Sequence, residues 1–97
     1  MEDRFASLRD ATTSAVFDGD GETACEFRRA VARGEAPSNL APLVQKIRSC
    51  AYTVTDRDLD ALRGQFADDQ LFELIVATAV GAAWERLAAA FRALEQA

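Results

Sequence analysis

Residues 68–94 read DDQLFELIVATAVGAAWERLAAAFRAL, and this stretch predicts one long helix. Apolar side chains recur along it at helical spacing, in two stripes. The first stripe contains Phe72, Val76, Ala79, Ala83, Leu87, Ala90 and Leu94. The second, rotated stripe contains Leu74, Ala77, Gly81, Trp84, Ala88 and Phe91. An apolar arc this wide exceeds what one small monomer normally covers, so we expect a second subunit to pack along the helix, most simply a copy of the same chain.

The length of this helix leads to the same expectation. At 1.5 Å per residue, roughly 27 residues reach about 40 Å. A compact chain of 97 residues is about 32 Å across, because its radius of gyration is about 12.5 Å. The helix therefore projects from the rest of the chain or is covered by a partner.

The composition favours a single all-α domain over residues 1–97. The chain is 49% hydrophobic and 28% charged, with two prolines and five glycines. These values are typical of a globular protein, and the abundant alanine, leucine and arginine favour helix. We expect a compact bundle of about five helices that ends in the long helix.

Four shorter helices are predicted before the long one. They cover residues 2–16, residues 22–33, a third segment capped by Ser38 or Asn39, and a short fourth helix capped by Thr55. Gly34 is placed to end the second helix, and Asp58 stands three residues after Thr55, as in a capping box.

The charge of the chain argues against nucleic acid as a partner. The formal net charge is −5 and the sequence pI is about 4.6, so the surface repels phosphate backbones. The densest basic cluster consists of Arg28, Arg29 and Arg33, but glutamates surround it. We therefore expect no nucleic-acid binding.

The sequence also predicts a cytoplasmic protein without a membrane partner. Residues 1–10 are charged and lack the apolar region of a secretory signal. The uncharged run at residues 74–84 is too short to span a bilayer. Cys25 and Cys50 are the two cysteines, far apart in sequence, and reduced thiols are the default for such a pair.

No metal or cofactor is predicted. The chain has no histidine, the usual ligand of zinc and iron sites. Asp56, Asp58 and Asp60 alternate like the start of a calcium loop, but such a loop needs glycine at its sixth position and glutamate at its twelfth. Ala61 and Ala67 occupy these positions, so the match fails.

Two residues are candidates for catalysis. Glu73 lies in the apolar run LFELIV, where burial could raise its pKa and make it an acid or base. It could equally bind Arg48, Arg63 or a backbone amide and stabilise packing. Cys50 precedes a predicted helix start, but a C-x-x-C motif would need cysteine at Thr53. We expect a core residue here, and a lone reactive thiol near Arg48 is the alternative.

Aromatic and large aliphatic side chains of the long helix are the candidate interface residues. They are Phe72, Ile75, Trp84, Leu87 and Phe91. Trp84 is the single tryptophan, a residue type enriched at binding hot spots, although a buried core position is the alternative.

The segment AYTVTDRDLDALRGQFADDQLFELIVATAVGAAWERLAAAF resembles the C-terminal half of the carboxymuconolactone decarboxylase and alkylhydroperoxidase D-like family. The cues are VTDRDLDAL and DDQLFELIVATAVGAAWERL, and the resemblance covers about residues 51–94. It implies an all-helical, oligomeric scaffold. Peroxidase members carry a C-x-x-C motif and a histidine, which would fall near Ala51, Val54 and Asp58. None of the three is retained, so the resemblance argues against thiol peroxidase chemistry.

Together these features predict a non-catalytic, homo-oligomeric interaction or accessory subunit on an alkylhydroperoxidase D-like scaffold. Its partners would be copies of itself, another protein or a small apolar ligand held between helices. The alternative is a thiol-dependent peroxidase or reductase that uses Cys50.

Overall fold

Five helices make up this chain, in a computed structural model that describes residues 3–96, with side chains from residue 6 onward. The helices are α1 (Asp3–Thr13), α2 (Cys25–Ala32), α3 (Ala41–Cys50), α4 (Asp56–Asp60) and α5 (Asp68–Gln96). A π-helical turn (Ser14–Asp18) extends α1 and a 3₁₀ turn (Ala51–Thr53) follows α3, while no strand occurs within residues 3–96. The predicted all-α fold with a long C-terminal helix is confirmed. The predicted start of the first helix at Glu2 lies outside the described residues.

The first half of α5 is the central element of the core. It packs mainly against α2 and α3. Its buried residues are Leu71, Leu74, Ala77, Thr78, Gly81 and Ala82. They meet Val31, Leu40, Leu43, Val44 and Ile47, which are also buried. The buried residues of α5 therefore include Leu74, Ala77 and Gly81 of the second apolar stripe, whereas the first stripe lies outside the core.

Gly81 allows α5 to approach α2 closely. A Cβ atom at this position would lie 2.2 Å from the backbone oxygen of Ala32, which no side chain tolerates. Glycine is therefore required at the crossing of the two helices, despite its unfavourable helix propensity. The contact also fixes the rotation of α5 about its own axis.

Two of the three predicted helix signals are confirmed. Gly34 has a φ of 88° and ends α2, since its N–H donates to the Val31 oxygen (3.0 Å). The backbone N–H of Thr55 donates to Asp58 Oδ2 (2.9 Å), which completes the capping box at α4.

The predicted cap of the third helix by Ser38 or Asn39 is wrong. A turn occupies residues 38–40, and α3 begins at Ala41 without a side-chain cap. The Pro37 oxygen accepts from the backbone N–H groups of Leu40 (3.0 Å) and Ala41 (2.9 Å). Asn39 instead hydrogen-bonds Gln65 across the chain.

The second half of α5 projects from this core. The molecule measures 46 × 28 × 19 Å and has a radius of gyration of 14.6 Å, which is larger than a compact chain of this length requires. From Glu85 to Gln96 every residue except Phe91 is exposed. The sequence left open whether the helix projects or is covered, and in the single chain it projects.

By length and composition, α5 is also apolar enough to cross a membrane. One window of 18 residues has a mean hydropathy of 1.4, and 28% of that window is buried inside the molecule. Core helices of soluble proteins satisfy the same criteria.

Replacement of Gly81 by alanine tests the crossing of α5 and α2. We expect Gly81→Ala to lower the free energy of unfolding by about 2 kcal/mol, because overpacking against a backbone carbonyl outweighs the gain of about 1 kcal/mol in helix propensity. Urea denaturation followed by circular dichroism measures the change.

Gly64→Ala is the matched control, since a Cβ atom at Gly64 would have no neighbour within 4 Å. An unchanged or increased stability of Gly81→Ala would show that the two helices do not approach this closely.

Candidate functional site

The first apolar stripe of α5 forms an uncovered face along the whole helix. We call it the outer face, and it consists of Phe72, Val76, Ala79, Ala83, Leu87, Ala90 and Leu94. Phe72 is 68% exposed and Leu94 67% exposed, at opposite ends of the face. Leu87 is 37% exposed between them, and Val76 is partly buried. No charged residue belongs to this face.

The spacing of the outer face keeps it straight along the helix. Its members follow one another at intervals of four, three and four residues, and the same series then repeats from Ala83 to Leu94. Such an 11-residue repeat averages about 3.67 residues per turn, close to the 3.6 of an α-helix. The stripe therefore drifts little around the helix axis, and a single partner helix could face all of its members.

A groove borders the outer face near its first residue. It has a volume of about 380 Å³, and Leu59 of α4 lines it together with Phe72 and Ile75 of α5. Arg63, Asp68 and Asp69 stand around the groove and contribute its polar part. The apolar surface thus continues from the outer face towards α4.

The candidate interface residues divide between two surfaces. Phe72 and Leu87 lie on the outer face, and Ile75 lies at its edge in the groove. Trp84 and Phe91 are partly buried and instead line a smaller groove of about 170 Å³ with Leu8 and Arg9 of α1 and with Leu87. The indole N–H of Trp84 donates to Thr13 Oγ1 (3.1 Å). Trp84 therefore helps to hold α1 against α5.

Glu73 serves as a clamp on the loop before α2. Its Oε1 accepts from the backbone N–H (3.0 Å) and hydroxyl (2.6 Å) of Thr23, and its Oε2 accepts from the N–H of Glu22 (2.7 Å). The Thr23 hydroxyl and these amides lower the pKa of Glu73 below the ordinary value of 4.5. A carboxylate held in its charged form is a poor general acid. Of the alternatives left open by the sequence, the structure shows the bond to backbone amides.

Gly21 makes this clamp sterically feasible. A Cβ atom at Gly21 would lie 2.7 Å from Glu73 Oε1 and 2.8 Å from Oε2, so a larger residue would displace the carboxylate. The two arginines considered as partners of Glu73 have other contacts. Arg48 pairs with Glu85, and Arg63 pairs with Asp60 and Asp68.

Cys50 lies at the end of α3 and is only partly buried, so the expectation of a core position is wrong. A helix C-terminus carries the negative end of the helix dipole, whereas reactive thiols lie at positive helix N-termini. Arg48, considered as a neighbour that would favour a thiolate, donates instead to the backbone oxygen of Ala32 (2.6 Å) and to Glu85. Both hydrogen bonds direct the Arg48 guanidinium to residues other than Cys50.

Arg28 is a structural residue that the sequence did not identify as such. Its residue surface is only 4% exposed, and its guanidinium donates to the backbone oxygens of Val16 (2.9 Å) and Gly19 (2.6 Å). It also donates to the thiol of Cys25 (3.3 Å). The guanidinium therefore binds carbonyl groups left free where the extension of α1 ends.

The other arginines of the basic cluster form ion pairs within the chain. Arg29 pairs with Asp18, and Arg33 pairs with Glu35 (3.0 Å). The described side chains, from residue 6 to residue 96, contain no group of three or more cysteine, aspartate or glutamate residues placed to hold a metal ion.

No known protein family, curated protein or solved structure matches the chain. The resemblance to the alkylhydroperoxidase D-like family therefore stays a prediction.

The clamp predicts a specific pH dependence of stability. We expect Glu73→Gln to lower the free energy of unfolding at pH 7 by about 1–3 kcal/mol, the usual loss when a charge-assisted hydrogen bond is removed. Because the pKa of Glu73 is lower in the folded chain, its contribution is present above pH 4.5 and is lost as the pH falls through the folded value. The difference between the two proteins, measured by urea denaturation at several pH values, should therefore shrink in acid.

Glu95→Gln, at an exposed position near the end of α5, provides the control. Equal effects of the two substitutions at every pH would disprove the clamp.

Proposed function

We propose that this chain is a non-catalytic interaction module that works in the cytoplasm and associates with a second copy of itself through the outer face of α5. The main support for this proposal is the uncovered outer face. It joins seven apolar residues into one surface, and six of them are exposed to water in the single chain. Burial of such a surface against another one is strongly favoured.

The outer face alone is slightly smaller than a specific dimer interface. From Phe72 to Leu94 it is about 33 Å long, and a partner that covers about a third of the helix circumference would bury roughly 950 Å² over both copies. The lower limit for a specific interface is about 1,000 Å². The groove beside Phe72 and Ile75 adds apolar area, so we expect a dimer of modest affinity.

The composition of the face and its border also supports an interface. Its centre is entirely apolar, while Asp69 and Arg86 stand at its border. Interfaces typically have such an apolar centre and a charged rim.

A second copy can reach the outer face without meeting the core. At 100° per residue, the outer face points away from Leu74 and Gly81, which contact the rest of the chain. A two-fold dimer uses the same surface on both subunits, so one apolar face per chain is sufficient. The resemblance to an oligomeric helical family points in the same direction.

The surroundings of α5 favour a second copy over a lipid bilayer. A helix that spans a membrane would place Glu73, Glu85 and Arg86 at membrane depth, where charged groups are costly. In this chain Glu73 binds the loop before α2, and Glu85 pairs with Arg48 of α3. Such contacts are typical of a core helix in a protein that folds in water.

A charge placed at the centre of the outer face tests the proposal. We expect Ala83→Asp to raise the dissociation constant of the dimer at least about 100-fold, because dimerisation would bury one uncompensated carboxylate from each copy. Sedimentation velocity over a range of protein concentrations measures the change. Circular dichroism should show an unchanged helix content, since Ala83 is exposed in the single chain.

Ala89→Asp is the matched control. Ala89 is also an exposed alanine of α5, but it points about 120° away from Ala83. A dimer that survives Ala83→Asp, or that is lost equally in both variants, would refute the outer face as the interface. A wild-type chain that stays monomeric and floats with phospholipid vesicles would identify a membrane as the occupant instead.

A further inference from the structure

We infer that the two copies pair in antiparallel orientation, with a two-fold axis that passes beside Ala83. This inference rests on the proposed dimer and adds the direction of the partner helix. The order of side-chain sizes along the outer face supports this orientation.

Antiparallel pairing about Ala83 combines large residues with small ones. Each residue then faces the one at the same distance on the other side of Ala83 in the second copy. Ala79 faces Leu87 and Val76 faces Ala90, four and seven residues from the centre. Both pairs combine an alanine with a larger aliphatic side chain, so their combined sizes are similar and the two helices can pack without voids at these positions.

Parallel pairing would place each residue against its own copy. Leu87 would face Leu87, while Ala83 and Ala90 on either side of it would also face themselves. The two leucines would hold the helices apart, and the alanine pairs next to them would leave gaps. Such gaps forfeit dispersion contacts and destabilise an interface.

The two ends of the face fit the geometry of crossing helices. Packed helices cross at an angle, so they are closest at one point and diverge from it in both directions. Ala83 occupies the centre, where the smallest side chains permit the closest approach. Phe72 and Leu94, the largest pair, face each other eleven residues away, where the helices have diverged most.

In the antiparallel arrangement the partner chain also covers the groove beside α4. The last turn of the partner's α5 would reach the level of Phe72 and cover the groove that Leu59 and Ile75 line. Leu94, which is 67% exposed in the single chain, would then become buried. The helix dipoles would also run in opposite directions, which brings ends of opposite sign together.

Distances between spin labels at two positions of α5 test the orientation. Cys25 and Cys50 are replaced by serine, and single cysteines are introduced by Ala89→Cys or Glu95→Cys for labelling. Both positions are exposed and lie off the outer face. In an antiparallel dimer the labels are separated along the helix axis by about 18 Å at position 89 and by about 36 Å at position 95.

We expect double electron–electron resonance to give a distance at position 95 at least about 10 Å longer than the distance at position 89. Nearly equal distances at the two positions would show parallel helices. That result would overturn the antiparallel inference and leave the proposed dimer intact. The absence of dipolar coupling at both positions, at a concentration where sedimentation shows only monomer, would overturn the proposed dimer itself.

Discussion

The contact between Gly81 and Ala32 determines how α5 is placed in the fold. It brings the backbones of α5 and α2 so close that a single methyl group would collide with a carbonyl oxygen 2.2 Å away. A helix held at this point has a fixed orientation about its own axis. That orientation determines which of its two apolar stripes enters the core. Leu74 and Ala77 therefore become buried, and the stripe from Phe72 to Leu94 is left in water.

Hydrogen bonds of charged side chains stabilise the fold in addition to the small apolar core. Glu73 ties the loop before α2 to α5, and the buried guanidinium of Arg28 binds the carbonyl groups at the end of the first helical segment. Each contact ties a segment that precedes α2 to a packed helix. Glu73, the carboxylate considered for catalysis, and Arg28 of the densest basic cluster thus stabilise the fold.

Helix periodicity predicted most of the fold from the sequence. The all-α class, the long final helix, the glycine that ends α2 and the capping box at Thr55 are all local signals, and all are confirmed. Which of the two stripes of α5 is buried depends on a contact with α2, and no local pattern contains that contact. Gly81 in the second stripe was nevertheless a usable signal, because glycine permits the close approach of another helix. For the same reason the alternatives for Glu73 stayed open, since its partners lie 50 and 51 residues away in the sequence. It also placed Cys50 in the core, because the identity of a small residue does not reveal which side of its helix is covered.

We propose that another copy of this chain covers the outer face of α5. Sedimentation equilibrium of the unaltered protein tests it most directly, at concentrations up to about 1 mM, where even an association of about −4 kcal/mol is substantially populated. If a second copy binds the outer face, the average mass will rise with concentration from the 10.5 kDa of one chain towards twice that value. A mass that stays at 10.5 kDa over the whole range would contradict it.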